Sequence, residues 1–384
     1  MRIARWSILV LSLVGLAVSG FAAKKICLYF DQTGPGDLSF NDMAILGAQR
    51  AAQDFGLELY YTTAASPLEF LSDLASLAET GEYVLIVGVG FLLFDALPEA
   101  ARLYPQQKFA FVDGPNFGLP NVIGLLFKEQ EGGALTGVVA ALTALAYGDP
   151  AIGAVAGMEI PPVWRYEAGY RFGAYWAVDW YRKNVGPAPD LRVLVTYVGR
   201  FDDPAGGKVA AEALIRAGAR NILGIAGATH LGAFDAVEEM GLAAGRTFGP
   251  PFAYGADASQ EYIKPGFILG SARKRVDTAV YESVRWALGT EPGYDLVLGI
   301  AEEGTGFSTE EDIRTFVELA VKAGYPLAGT PQEVIAAILN ARKTVPAYVW
   351  QALAEFEGLL RAGAIQLPEA DTAGQIAQVR KRYP

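Results

Sequence analysis

Short apolar runs recur along the chain. Each is followed by a polar or glycine-bearing turn, then by a stretch with apolar residues every three or four positions. The runs at 26–30, 57–61, 83–87, 108–112 and 122–127 are short enough to read as strands. Helical periodicity covers 41–55, 66–80 and 96–104, with Gly56 placed as a C-cap and Ser66-Pro67-x-Glu69 as a helix start. A Gly- and Ala-rich helix, hence a closely packed one, is expected over 132–147. The pattern then begins again. Strands at 151–156, 192–198, 221–226 and 267–271, and one ending at Ala256-Asp257, alternate with helices reaching 183 and over 206–217, 233–240 and 276–288. Such alternation predicts an α/β fold with parallel sheets and right-handed crossovers, and its repetition predicts two similar lobes. Further on the pattern loosens. A strand at 296–300 precedes capped starts at Ser308-x-x-Glu311 and Thr330-Pro331-x-Glu333, and a helix over 346–362 closes on Gly363.

In open α/β sheets ligands bind outside the carboxyl ends of the strands. The loop leaving the first strand, 29–41, reads YFDQTGPGDLSFN and carries acceptors (Asp31, Gln32, Asp37), three turn formers and one aromatic, Phe40. That mixture suits a small polar molecule with a flat ring. Other strand ends carry Gly90, Asp113, Met158-Glu159, Gly227 and Asp257. Facing lobes would aim these ends at one cleft.

Composition narrows the classes. With 384 residues there is length for two domains, and 52% hydrophobic residues suit a globular protein with large cores. A formal net charge of −11, with no basic cluster interleaved with aromatics, argues against nucleic acid as a partner. Residues 1–23 have two arginines, an apolar run at 8–18 and small residues at 19–23, the pattern of an export signal. The single cysteine, Cys27, rules out an internal disulfide and a multi-thiolate zinc site, and its place in an apolar strand predicts burial. It also lacks the preceding small residues of a lipid-attachment signal.

Catalytic motifs fare poorly, so no catalytic residue, metal or cofactor is expected. Gly88-x-Gly90 begins like a dinucleotide fingerprint, but Leu93 stands where the third glycine belongs. The single histidine, His230, has no G-x-S-x-G nucleophile to serve, and it is expected to line or cap a pocket. No metal-binding D-x-D-x-x-x-D-D run occurs.

Several stretches together resemble the basic membrane protein family, which includes purine nucleoside receptors of bacterial ABC transporters. They are Gly36-Asp37-Leu38-Ser39-Phe40-Asn41 (the family usually has Lys where Leu38 stands), Gly88-Val89-Gly90-Phe91 and Phe109-Ala110-Phe111-Val112-Asp113. Next come Phe127-Lys128-Glu129-Gln130-Glu131-Gly132, Gly157-Met158-Glu159-Ile160-Pro161 and Glu167-Ala168-Gly169-Tyr170. Ala226-Gly227, Gly255-Ala256-Asp257-Ala258-Ser259-Gln260 and Lys274-Arg275-Val276-Asp277 complete them. The resemblance spans nearly all of the mature chain and implies a type I periplasmic binding protein fold with a three-crossover hinge. The lobes are expected at 24–129 plus 256–289 and at 130–255 plus 290–384. The stretch at about 308–345 is longer than the family's usual connection.

The resemblance also implies ligand contacts. Phe40 would stack on a purine, while Asp31, Gln32 and Asp113 would meet the base edge. Gly227 would approach by its backbone, and Asp257 and Lys274 would take the ribose hydroxyls. Asn41, Gly90 and Met158 complete the expected set, with Asp37 expected as a brace for the loop. A carboxylate suits vicinal hydroxyls, and an acidic cleft repels a phosphate. The implied function is a monomeric, exported substrate-binding protein that captures a purine nucleoside, guanosine or inosine before adenosine, and hands it to an ABC permease. The alternatives are another small polar cargo (a sugar, a flavin or an autoinducer-like polyol) and a secreted nucleoside-cleaving enzyme.

Overall fold

The runs read as strands assemble into two six-stranded sheets in the computed structural model, which describes residues 24–384. The expected export signal lies outside the described residues. The strands are β1 (Lys25–Phe30), β2 (Glu58–Thr63), β3 (Tyr83–Val89), β4 (Phe109–Val112), β5 (Val122–Phe127), β6 (Ala151–Ala156), β7 (Arg192–Tyr197), β8 (Ala219–Ile225), β9 (Phe252–Asp257), β10 (Ile268–Lys274), β11 (Asp295–Leu298) and β12 (Thr305–Phe307). The first sheet runs β11-β5-β4-β3-β1-β2, all parallel. The second runs β12-β10-β9-β8-β6-β7, with only β12 antiparallel.

The inner strands of each sheet are covered on both faces, which explains why they are continuously apolar rather than alternating. In β1, Ile26, Leu28 and Phe30 face α1 (Phe40–Phe55) and α8 (Val276–Ala287). Cys27 and Tyr29 face α2 (Phe70–Glu79) and α3 (Ala96–Leu103) on the other side. Cys27 is fully buried, as its context predicts. In the second lobe α4 (Glu129–Tyr147) and α5 (Pro161–Asn184) cover one face, and α6 (Pro204–Arg216) and α7 (Thr229–Ala243) the other.

The chain passes between the sheets three times, after β5, after β10 and after β11. These passages are bonded to one another. Lys128 N donates to Leu298 O at 3.1 Å and Arg275 N to Gly304 O at 2.8 Å. Glu131 Oε2 accepts from Ile300 N at 2.6 Å and from Thr305 Oγ1 at 2.9 Å. The expected lobe boundaries need correction. Residues 256–274, placed in the first lobe from the sequence, complete β9 and continue through β10 in the second sheet, while β11, placed in the second lobe, extends the first. Strand pairing in space decides this, and an apolar run does not announce which sheet it joins.

The later helices are α9 (Glu310–Lys322), α10 (Pro331–Thr344), α11 (Ala347–Arg361) and α12 (Ala373–Arg382). Thr330 and Glu333 form the expected capping box, but α9 is capped by Thr309 and Asp312, one residue beyond the expected pair. Ser308 is held elsewhere, against Glu261 and Arg342. Arg342 also donates to Leu269 O at 2.9 Å, so α10 is fastened to the second sheet by a buried ion pair.

Candidate functional site

The carboxyl ends of both sheets open onto one cavity with about 660 Å³ of free space, part of it continuous with solvent. Nine of the ten expected contact residues line it: Asp31, Gln32, Phe40, Asn41, Gly90, Asp113, Gly227, Asp257 and Lys274. Met158 does not line it. Its sulfur meets Gln32 Nε2 at 3.9 Å, a contact made from one lobe to the other.

Asp31 directly follows β1 and leans on the turn after β3. Its Oδ2 accepts from Leu92 N at 3.0 Å. Gly90 makes this approach possible: its φ is +115°, and a Cβ there would lie 2.2 Å from Asp31 Oδ2. Burial, aided by the neighbouring Asp113, pushes the Asp31 carboxyl up to about 7, against the pull of the backbone amides.

The loop that follows is braced by its own polar residues. Asp37 accepts from Ser39 N at 3.0 Å and from Asn41 N at 2.9 Å, the role expected of it at the start of α1. Asn41 spends its amide on the same loop, donating to Thr33 O and to Gly34 O. Its amide hydrogens shape the wall. Phe40, between them, presents its ring to the cavity.

Lys274, at the end of β10, is almost fully buried and joins two carboxylates from different elements. Its Nζ lies 2.6 Å from Asp113 Oδ1 and 3.0 Å from Glu129 Oε1, with the Phe40 and Phe127 rings 4.9 and 4.8 Å away. Glu129 is also held by Arg165 at 2.6 Å. Burial alone would lower the lysine pKa, but Asp113, Glu129 and Asp257 together raise it. Asp113, with φ +70°, is raised to about 6 by burial even though Lys274 pulls the other way. For Glu129 burial is overcome by Arg165 and Lys274, which hold its carboxyl below the usual range.

Asp257, with φ +66°, accepts from Tyr166 Oη at 3.0 Å through Oδ1. Its Oδ2 lies 3.0 Å from Ser39 Oγ, which comes from the first lobe. Gln260 Nε2 adds a second tie across the lobes, donating to Leu38 O at 2.9 Å. Asp31, Asp113, Glu129 and Asp257 thus stand near two cations that are already paired, Lys274 with Asp113 and Glu129 and Arg165 with Glu129 and Asp371. The arrangement offers acceptors to a ligand rich in N–H and O–H donors and is hostile to an anion.

His230 does not line the cavity, contrary to expectation. It is fully buried behind the strand end, with Nδ1 facing Ala226 N at 3.3 Å and Nε2 facing the Gln260 amide at 2.9 Å. Nδ1 accepts from the Ala226 N–H, so the neutral ring carries its proton on Nε2, and burial lowers its pKa to about 3.

Sequence reasoning missed Phe201, Tyr166, Glu129 and Arg165. Phe201 follows β7 and lines the cavity from the second lobe, so the strand-end rule reaches it. Tyr166 and Arg165 lie on the first turns of α5, where nothing local distinguishes them from other helical residues. Among the described residues no group of His, Cys, Asp or Glu is arranged to hold a metal, and no helix is long and apolar enough to cross a membrane.

Comparison with known proteins agrees with this geometry. A family model described as Bmp, ABC transporter substrate-binding protein PnrA-like, matches residues 24–321. An uncharacterized lipoprotein of Pyrococcus abyssi is 40% identical over 358 residues, covering 92% of this chain and 86% of that protein. The ABC transporter nucleoside-binding protein BmpA of Lactococcus lactis is 29% identical over 306 residues, covering 75% and 83% respectively. Among solved structures, a solute-binding protein of an ABC transporter system from Aeropyrum pernix superposes with a TM-score of 0.87 at 37% identity, covering 94% of this chain and 97% of that one. The chain therefore belongs to the Bmp family of PnrA-like substrate-binding proteins of ABC transporters, a family of receptors rather than enzymes.

Proposed function

We propose that the chain captures a purine nucleoside between its lobes and delivers it to an ABC permease. One observation carries this reading. A single cavity holds aromatic rings from both lobes, Phe40 and Phe201, together with the acceptor carboxylates Asp31 and Asp257. Aromatic faces suit a base, and carboxylates suit ring N–H groups and vicinal hydroxyls. The name of the Lactococcus lactis relative supports the cargo class. Guanosine and inosine are preferred over adenosine, because a carboxylate at the base edge accepts from a ring N–H that adenine lacks. Export is part of the reading. The Pyrococcus relatives are named lipoproteins, so the expectation that this chain lacks a lipid-attachment signal finds no support in them.

Mass spectrometry of ligand released from freshly purified, denatured protein tests the cargo, and recovery of a purine nucleoside is expected. A sugar without a base would overturn the assignment. In calorimetry Phe40→Ala is expected to weaken nucleoside binding by about 1–3 kcal/mol, the worth of one stacked base.

A further inference from the structure

Beyond the inner cavity the cleft widens into an outer chamber with about 790 Å³ of free space that is open to solvent. Asp31, Gln32 and Thr33 line both spaces. The far walls come from opposite lobes, Ala64 to Pro67 from the first and Gly199, Arg200 and Asp202 from the second.

These walls are built. Ala64 N donates to Phe30 O at 3.0 Å, and Gly199 N donates to Gly157 O at 2.8 Å. Thr229 Oγ1 donates to Arg200 O at 3.0 Å and in turn accepts from Asp203 N at 2.9 Å. Each rim loop is thus pinned to a strand end of its own lobe. The side chains offered are small, Ala64, Ala65, Ser66 and Gly199, so the width follows from composition. The charged pair is self-neutralised, with Arg200 and Asp202 joined by two bonds of their planar groups. Gln32, which lines both spaces, meets Met158 only through an amide and a thioether, which is a weak acceptor and a cheap contact to displace.

We infer that the outer chamber is a second subsite, one that admits an uncharged substituent projecting from the base edge of the cargo. The site would then take purine nucleosides substituted on the base as well as the parent compounds. This rests on the nucleoside reading and on the placing of the base edge at Asp31 and Gln32. An anionic substituent is disfavoured, because Asp31 stands at the junction and Arg200 is already paired.

The test measures calorimetric affinities for adenosine, guanosine and their counterparts carrying a benzyl group on the exocyclic amine, with wild-type protein and with Ala65→Trp. Ala65 is exposed, so the larger ring is accommodated without disturbing a core. Each benzylated nucleoside is expected to bind within about tenfold of whichever parent binds, a difference below roughly 1.4 kcal/mol. Ala65→Trp is expected to weaken the benzylated compounds at least about tenfold by steric exclusion while leaving the parents unchanged. A parent that binds while its benzylated form is more than about tenfold weaker in the wild type would overturn the subsite and spare the nucleoside reading. The subsite is likewise overturned if Ala65→Trp weakens parent and derivative alike. Failure of both parents to bind would remove the nucleoside reading and the subsite with it.

Discussion

Lys274 shows most clearly how single residues join structure to binding. It is the shared cation of Asp113 and Glu129, so its removal leaves buried carboxylates short of a partner. Breaking a buried pair from one side costs about 3–5 kcal/mol. Lys274→Met is expected to lower stability in urea unfolding by about that amount, and a loss under about 1 kcal/mol would show that the cluster is dispensable. Protonation follows from the same burial. Asp31 and Asp113 are raised from 3.8 to about 7 and about 6, so within that window the folded state binds more protons than the unfolded chain. Their contribution to stability is present at acid pH and lost as pH rises through the folded values. Glu129, held low, contributes with the opposite sign, its stabilisation being lost as pH falls through its folded pKa. A cargo that donates an N–H to Asp31 favours the carboxylate, so capture should release protons and tighten as pH rises from about 6 to about 8. Calorimetry in buffers of different ionisation enthalpy reads this directly, and proton uptake on binding would contradict it.

At the scale of elements, the pair α4–α5 sets the back of the cavity. The two helices approach through glycines: a Cβ on Gly169 would lie 1.9 Å from Gln130 O, and one on Gly173 would lie 2.0 Å from Ala134 O. This contact places Glu129 at the start of α4 within reach of Arg165, and Tyr166 within reach of Asp257. Gly169→Ala should force the backbones apart, costing roughly 1–3 kcal/mol and weakening nucleoside binding. A Cβ on Gly358 in α11 would meet nothing within 4 Å, so Gly358→Ala should be neutral or stabilise by about 0.5–1 kcal/mol. Thermal unfolding of the two variants checks the contrast, and equal effects would deny the helix contact its role. The glycines of α4 and α5 are visible in the sequence as a small-residue pattern. Their partners are not, because the approach depends on which helix lies alongside.

For the molecule as a whole, three bonded passages join lobes that each own part of one cavity. Contacts from both sides favour the closed arrangement, so ligand shifts the population towards it. Small-angle scattering should show a smaller radius of gyration on adding a saturating purine nucleoside, and an unchanged radius would point to a cleft that does not close on this cargo. Ser39 and Gln260 tie the lobes near the passages, so opening and closing are expected to pivot there, with the Gln32–Met158 contact parting as the cleft opens.

Much of this was legible in the order of residues alone. The alternation of buried strands and amphipathic helices predicts the two-lobe α/β fold, because burial on both faces demands continuous apolar runs. The strand-end rule brings out Asp31, Gly90, Asp113, Gly227 and Asp257, because parallel strands deliver their carboxyl ends to one edge. Tertiary structure alone decided that β9 and β10 belong to the second sheet, since pairing partners are chosen across space. It also decided that Lys274 is bound to Asp113 and Glu129, that His230 is sealed behind the strand end, and that Met158 reaches Gln32 instead of the cavity. Each of these depends on distances between residues far apart in the chain, and no local pattern encodes them.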